Sequence, residues 1–331
     1  MNIKNNAILF WFSAARGYSI PISVMSWAVP FVFGVCDKGN VFYGILALIG
    51  IVLVHLGVNL FDDVIDYYLE KRLINKGLRD TFNFQQGKCQ YIINGSATLM
   101  NTLVVASCLF FAALLIGLFL FLKCGMVVTY IVLITAALAV LYPVLTYFAL
   151  GEVIVAIVFS PLLYLGTYFV MTGHFSLEMM IVSISTGLLT VGLLHTHTFM
   201  DFDFDQKNNK KTLCALVKTK ENAVITQGII MFLAFLNITI FALFGQLPGL
   251  MLLSLLAIPS AVSLYKLLNL HIKNPSVVVE PKFWMGPMEN WEKIKENKLE
   301  AFMVKFLLAR NVMLIFSFFV CLAKVITEVA D

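Results

Sequence analysis

The chain has 331 residues, 60% of them hydrophobic and only 13% charged, with a mean hydropathy of +0.90 and a formal net charge of +4. That balance excludes a soluble globular domain and a disordered chain, both of which carry far more charge. It fits a polytopic membrane protein, whose length is consumed by spans of about 20 residues each.

Residues 7–15, preceded by Lys4, loosely imitate a signal peptide, but hydrophobic chain resumes directly after Arg16 and Gly17. The expectation is a retained, short interfacial helix leading into the first span. Nine apolar runs then follow, at roughly 18–35, 41–60, 99–122, 126–146, 152–171, 178–199, 222–244, 247–270 and 302–325. Their length and continuity predict about nine transmembrane helices in an all-α fold. Very short connectors alternate with long polar ones at about 67–98, 200–221 and 271–301.

Lysine and arginine are distributed unevenly over these connectors. Twenty lie in the N-terminal arm, the three long loops and their flanks, against only Lys38, Lys123 and Lys324 on the other side. The positive-inside rule therefore predicts a cytoplasmic N-terminus and, with nine spans, an external C-terminus. This asymmetry accounts for the net positive charge without a nucleic-acid partner. The six cysteines, Cys36, Cys89, Cys108, Cys124, Cys214 and Cys321, show neither Cys-x-x-Cys nor Cys/His ligand spacing, so neither a disulfide framework nor zinc is expected.

Two polar clusters interrupt the apolar pattern. The first, Asn59-Leu-Phe-Asp62-Asp63-Val-Ile-Asp66-Tyr-Tyr-Leu-Glu70, ends the second run, and the second, His197-Thr-Phe-Met-Asp201-Phe-Asp203-Phe-Asp205, ends the sixth. Spacings of three and four would place Asn59, Asp62, Asp63, Asp66 and Glu70 on one helix face, and His197, Asp201 and Asp205 on another. Carboxylates at the membrane edge are costly and mark a functional site. A lone acidic helix end would read as a solvated cap, but two of matching design point to ligand binding.

Hard oxygen donors with little His and no Cys suit Mg²⁺, which typically bridges one or two carboxylates to substrate phosphates. A diphosphate is then the expected ligand, and in a greasy chain a lipid diphosphate. Lys71, Arg72, Lys76, Arg79 and Lys88 follow the first cluster, and Lys207, Lys210 and Lys211 the second, as candidate phosphate contacts or plain positive-inside charges. Ring faces such as Tyr142, Tyr147, Tyr164 and Tyr168 would shelter an allylic cation, unless they merely pack or face lipid.

These residues resemble the UbiA superfamily of intramembrane prenyltransferases. The first cluster is similar to the family's Asn-Asp-x-x-Asp-x-x-x-Asp motif, with Asp62 for Asn and Glu70 for the last Asp. The second, Asp201-Phe-Asp203-Phe-Asp205-Gln-Lys-Asn-Asn-Lys210-Lys211-Thr212-Leu213, resembles the second motif with its basic tail. Leu150-Gly151-Glu152, Ser160-Pro161-Leu162, Gly166-Thr167-Tyr168 and Thr172-Gly173 look like a run of the 1,4-dihydroxy-2-naphthoate polyprenyltransferase branch, and the stretch Arg16 to Gly34 resembles the family's opening.

The resemblance implies one domain over 1–331, nine helices around a central cavity open to the cytoplasm, and a bacterial-type inner membrane. It also implies Mg²⁺, a polyprenyl diphosphate donor and an aromatic acceptor, here 1,4-dihydroxy-2-naphthoate of menaquinone biosynthesis. By it, Asp63, Asp66, Asp201 and Asp205 are the catalytic metal and diphosphate ligands. Asn59, Asp62, Glu70, Asp203 and His197 support them, Arg79, Lys88, Lys210 and Lys211 contact phosphate, and Tyr142 faces substrate. The chemistry implied is ionisation, attack by the electron-rich ring, then proton loss.

Departures concern the acceptor and one phosphate contact. Tyr142-Pro143-Val-Leu-Thr146 has Thr where the branch has Lys, and Thr196-His197-Thr198-Phe199-Met200 replaces an Asn-Asn-x-Arg stretch. Alternatives are prenylation of 4-hydroxybenzoate or another phenol, or a cation or lipid-phosphate transporter. Transport would favour acidic groups spread through the membrane depth. Glu152 reads as a helix cap or a substrate contact. His195, off the face of His197, reads as structural. The insertion at about 271–301, with Trp284-Met-Gly-Pro-Met-Glu-Asn-Trp291, reads as a Trp-anchored interfacial helix or as a lid.

Overall fold

The computed structural model describes residues 7–77, 80–82, 88–207 and 211–330, with backbone alone at 143, 144 and 147. The described residues contain helices and no strands, in keeping with an all-α polytopic membrane protein. All nine apolar runs are helical. Eight helical segments are long and apolar enough to cross a membrane, and Met126–Tyr142 is a shorter apolar helix. The chain divides into two compact units, one taking in Met1–Val24 and Phe42–Pro143, the other Met25–Val41 and Val144–Asp331.

In the first unit, α1 (Ala7–Ala14) forms where the N-terminal expectation placed a helix. Beyond the left-handed turn at Arg16, α2 (Ile20–Cys36) begins. The 35-residue α3 (Val41–Asn75) would be about 52 Å long at 1.5 Å per residue, well beyond a hydrocarbon core of about 30 Å. Its first 20 residues suffice to span, so the acidic motif lies on the helix beyond the span, still in helical register. A short turn, α4 (Gln90–Ile93), and α5 (Leu99–Cys124), capped by the Thr98 hydroxyl accepting from Asn101 N–H at 3.1 Å, pack on α1 and α3. Leu60, Tyr91, Ile92, Ala97 and Ala106 form that core with Phe10, Trp11 and Leu56 around them. Phe10 and Trp11 meet Tyr91 edge-on at 6.2 and 6.3 Å between ring centres. At Gly57 a Cβ would come within 2.8 Å of the Phe110 ring, so α3 and α5 approach there without side-chain separation. The helix α6 (Met126–Leu145) completes this unit.

In the second unit, α7 (Gly151–Ile157) passes through a π-turn at Val158–Leu162 into α8 (Leu163–Thr172). Pro161, which lacks an N–H, lies in that turn. The turn rests on Gly187 of α9 (Leu177–Met200), where a Cβ would lie 3.4 Å from that of Ser160. The most enclosed of the spans is α9. It is bonded to α12 (Lys220–Leu243) by Ser185 donating to the Ala234 carbonyl at 2.8 Å and by Asn237 donating to the Ile181 carbonyl at 3.0 Å. His195 is buried and its Nε2 donates to the Ala223 carbonyl at 2.8 Å, the structural role expected of it. A 3₁₀ stretch, Gly249–Ala257, continues into α13 (Ile258–Lys273), and α15 (Glu300–Ala330) packs on both and on α9. At one end of this unit Lys324 reaches Asp37 at 2.9 Å and Glu178 at 3.5 Å, while the Tyr168 hydroxyl donates to Asp37.

The insertion is half helix and half hook. α14 (Trp291–Glu296) has no buried residue, whereas Trp284 to Glu289 fold down between α13 and α15. Ser260 donates to the Trp284 carbonyl, Trp284 Nε1 donates to Ser263 at 3.0 Å, and Asn311 donates to the carbonyls of Met285 and Pro287, both at 2.8 Å. Asn311 lies eleven residues, about 16 Å, beyond the start of α15. The carbonyls of this irregular segment are thus satisfied by side chains of α13 and α15.

Candidate functional site

In the first unit the α3 face holds Asp62, Asp63 and Asp66, one helical turn or less apart. Two cations from outside α3 meet them. Lys88 Nζ lies 2.9 Å from Asp62 Oδ2 and also contacts Asp66, while Arg16 bonds Asp63 and lies 3.8 Å from Asp62. The arrangement depends on the local fold. Arg16 and Cys89 both adopt left-handed backbone, at φ 56° and 57°, and Cys89 Sγ sits 3.4 Å from the Asp63 carbonyl. Asn59 donates to the Ala15 carbonyl at 2.9 Å and so fixes the turn that carries Arg16.

Burial by itself would lower the basicity of Lys88, but Asp62 and Asp66 outweigh it and hold its pKa above the ordinary 10.5. Arg16 is raised likewise, with Asp63 and Asp62 prevailing over burial. Asp62 and Asp66 converge on one ammonium, and Asp63 lies alongside. These are hard oxygen donors of the type Mg²⁺ takes, here closed on two organic cations.

In the second unit α9 stops one residue before its acidic motif. Asp201 is the C-cap, and a separate turn, α10 (Phe202–Lys207), follows with Asp205 N–H donating to the Asp201 carbonyl at 2.9 Å. A bend interrupts the helix at Asp201, but the i→i+4 backbone bonds from Asp201 to His197 and from Asp205 to Asp201 continue through it. His197 Nδ1 still lies 3.5 Å from Asp201 Oδ2, and its ring meets Phe302 and Phe306 of α15 edge-on. Asp205 is fully buried. Asp203 points elsewhere: it is mostly exposed and pairs with Lys220 at 2.7 Å. Behind the motif, Thr212 caps α11 (Leu213–Leu216), and Glu152 accepts from Leu213 N–H at 3.1 Å and from the Thr198 hydroxyl at 3.5 Å. Glu152 thus ties the basic tail of the motif to the start of α7. Burial, with Glu152 and Asp205 nearby, pushes the Cys214 thiol up to about 12, so it is no thiolate nucleophile.

Of the other sequence candidates, Glu70 and Tyr142 are half-buried and Lys211 is exposed. Arg79 and Lys210 lie outside the described residues, as does the side chain of Tyr147. No group of three or more His, Cys, Asp or Glu spaced to hold a metal occurs among the described residues. Arg16 is a partner of the motif that its spacing does not announce. Its signal was a single arginine at the junction of two apolar stretches, where a charge is expensive without a partner.

Comparison with known proteins places the chain in a family. The pattern of the UbiA prenyltransferase family matches residues 22–285, a stretch containing both acidic clusters. UbiA prenyltransferase domain-containing protein 1 of Gallus gallus, and that of Mus musculus, are each 30% identical over 118 residues, covering 36% of this chain and 34% of the relative. The chain thus spans about a third of the length of the curated relatives it matches. A solved digeranylgeranylglyceryl phosphate synthase structure superposes with a TM-score of 0.58 at 15% identity, over 97% of this chain and 98% of that one. A UbiA homolog from Aeropyrum pernix K1 does so with 0.53 at 13% identity, over 88% and 97%. At those identities the likeness concerns the fold. With four-fifths of its length matched, motifs included, the chain belongs to the UbiA prenyltransferase family.

Proposed function

We propose that this chain catalyses Mg²⁺-dependent transfer of a polyprenyl group from a polyprenyl diphosphate to an aromatic acceptor, 1,4-dihydroxy-2-naphthoate, at the cytoplasmic side of a bacterial-type inner membrane. The observation that carries the reading is the convergence of Asp62 and Asp66 on the Lys88 ammonium, with Asp63 held by Arg16 beside them. Asp63 and Asp66 would hold Mg²⁺ from α3, and Asp201 and Asp205 from the second motif. Mg²⁺ bound there supplies neutralisation of the charge that builds on the departing diphosphate.

The chain's own groups do the rest. Lys88, once the carboxylates bind metal, is free to swing its ammonium to a diphosphate oxygen as a point charge. Arg16 holds Asp63 in place, and His197 orients Asp201. The allylic C–O bond ionises, the electron-rich ring carbon attacks, and aromaticity returns when that carbon loses a proton or its carboxyl group. The naphthoate choice rests on the sequence run between Leu150 and Gly173.

The test is release of diphosphate and formation of prenylated product from radiolabelled polyprenyl diphosphate, with naphthoate present or absent, in wild type and Asp66→Ala. Naphthoate-dependent product that needs Mg²⁺ and is lost in Asp66→Ala is expected. Product only with 4-hydroxybenzoate would change the acceptor, and a donor that neither binds nor reacts would end the prenyl-transfer reading.

A further inference from the structure

One charged side chain in the second unit has no place in that scheme. Lys305, five residues into α15, is fully buried, and its Nζ donates to the carbonyl of Ala301 one turn earlier. No carboxylate within ion-pair distance appears for it among the described residues, and its hydrogen-bond partner is that carbonyl. Other enclosed lysines are treated differently: Lys324 has Asp37 and Glu178, Lys88 has Asp62 and Asp66, and Lys220 has Asp203. An ammonium withdrawn from water without a counter-charge is costly, and an ordinary core position would carry an apolar side chain instead. The flanking Val304, Leu307 and Leu308 are just that.

The surroundings give the charge a context. The adjacent Phe302 and Phe306 press on His197, the partner of Asp201. On α13, His271 lies 5.4 Å, ring to ring, from Phe199 at the end of α9, and Lys305, Lys220 and Asp203 all act on it electrostatically. Lys305 thus belongs to the group of side chains where α9, α13 and α15 meet beside the second acidic motif. It also lies beyond the stretch matched by the family pattern, which ends at residue 285.

We infer that Lys305 is a substrate-binding residue whose buried ammonium receives an oxyanion of a substrate, the diphosphate of the donor or the carboxylate of the acceptor. The Ala301 carbonyl holds the ammonium until the anion replaces it. The inference rests on the prenyl-transfer reading above.

The experiment uses the full chain in detergent with Mg²⁺ and compares wild type, Lys305→Met and Lys305→Arg. Met keeps the volume and removes the charge. If the diphosphate is the ligand, Lys305→Met weakens inorganic pyrophosphate binding and raises the donor KM at least tenfold, and Lys305→Arg recovers much of both. If the acceptor carboxylate is the ligand, pyrophosphate binding is unchanged, the naphthoate KM rises at least tenfold, and 1,4-naphthalenediol, lacking the carboxylate, is used equally by both proteins. A Lys305→Met protein that is as stable as wild type or more so, with every binding and kinetic constant unchanged, overturns the inference while leaving prenyl transfer intact. Should Lys305→Met not fold, Lys305→Gln, which is neutral and keeps a hydrogen-bond donor for the Ala301 carbonyl, takes its place in the same assays: a tenfold rise in the donor or naphthoate KM supports the assignment, and unchanged constants for both overturn it. A wild type that neither binds pyrophosphate nor consumes the donor removes the prenyl-transfer reading and this inference with it.

Discussion

Asp63 has only 1% of its side chain exposed, and Arg16 is the cation bonded to it. Removing one member of such a pair leaves an uncompensated buried charge, a loss of about 3 to 5 kcal/mol. Arg16→Met should therefore lower stability by that amount in detergent denaturation, and saturating Mg²⁺ should restore part of it if the carboxylates bind metal. A change within about 0.5 kcal/mol would mean that water reaches Asp63. Lys88 makes a prediction about pH. Its folded pKa is raised, so the stability contributed by its pairs with Asp62 and Asp66 is complete below 10.5 and fades only above that value. The stability difference between wild type and Lys88→Met should thus stay flat from about pH 6 to 10. A decline with pH inside that window would contradict the pairing. At this scale the acidic residues were legible from spacing alone, because a helix brings residues three and four apart together whatever surrounds them. Their cations were not, since Arg16 lies 47 positions before Asp63 and only folding joins them.

At the scale of elements, α3 and α9 show what periodicity conveys and what it misses. Helix continues through the first motif as the spacing required, yet it breaks at Asp201 in the second. Aspartate competes for backbone hydrogen bonds in a helix, which suits it to the C-cap it takes here. The hook at Trp284–Glu289 is the stronger case. Trp284 and Trp291 read as interfacial anchors, and what sequence does not show is that Asn311, more than 20 residues beyond the hook's start, donates to its Met285 and Pro287 carbonyls. Asn311→Leu would leave the Met285 and Pro287 carbonyls unsatisfied at a cost of about 1 to 3 kcal/mol. The expected result is faster hydrogen exchange and proteolysis across 282–290 before any other helix is affected. Equal protection in the variant would mean that Arg310, which bonds Pro287 and Glu289, is enough to hold the hook.

For the whole molecule, the distribution of twenty basic residues against three predicts the orientation of every span. A reporter fused after residue 331 should be active only outside the cytoplasm, and one inserted near residue 80 only inside. The same result at both positions would break the count of nine spans, with the short α6 as the first suspect. The membrane class, the helical spans and the two acidic motifs were determined by sequence alone. Each is a local property: hydropathy over about 20 residues, periodicity over one turn, charge on neighbouring loops. The tertiary structure decided which cations neutralise Asp62, Asp63 and Asp66, that Asp203 turns away to Lys220, that the late loop hooks between α13 and α15, and that Lys305 is buried with no carboxylate paired to it among the described residues. These depend on groups far apart in the chain, and the cost of burying a charge or a carbonyl is known only when its neighbours are.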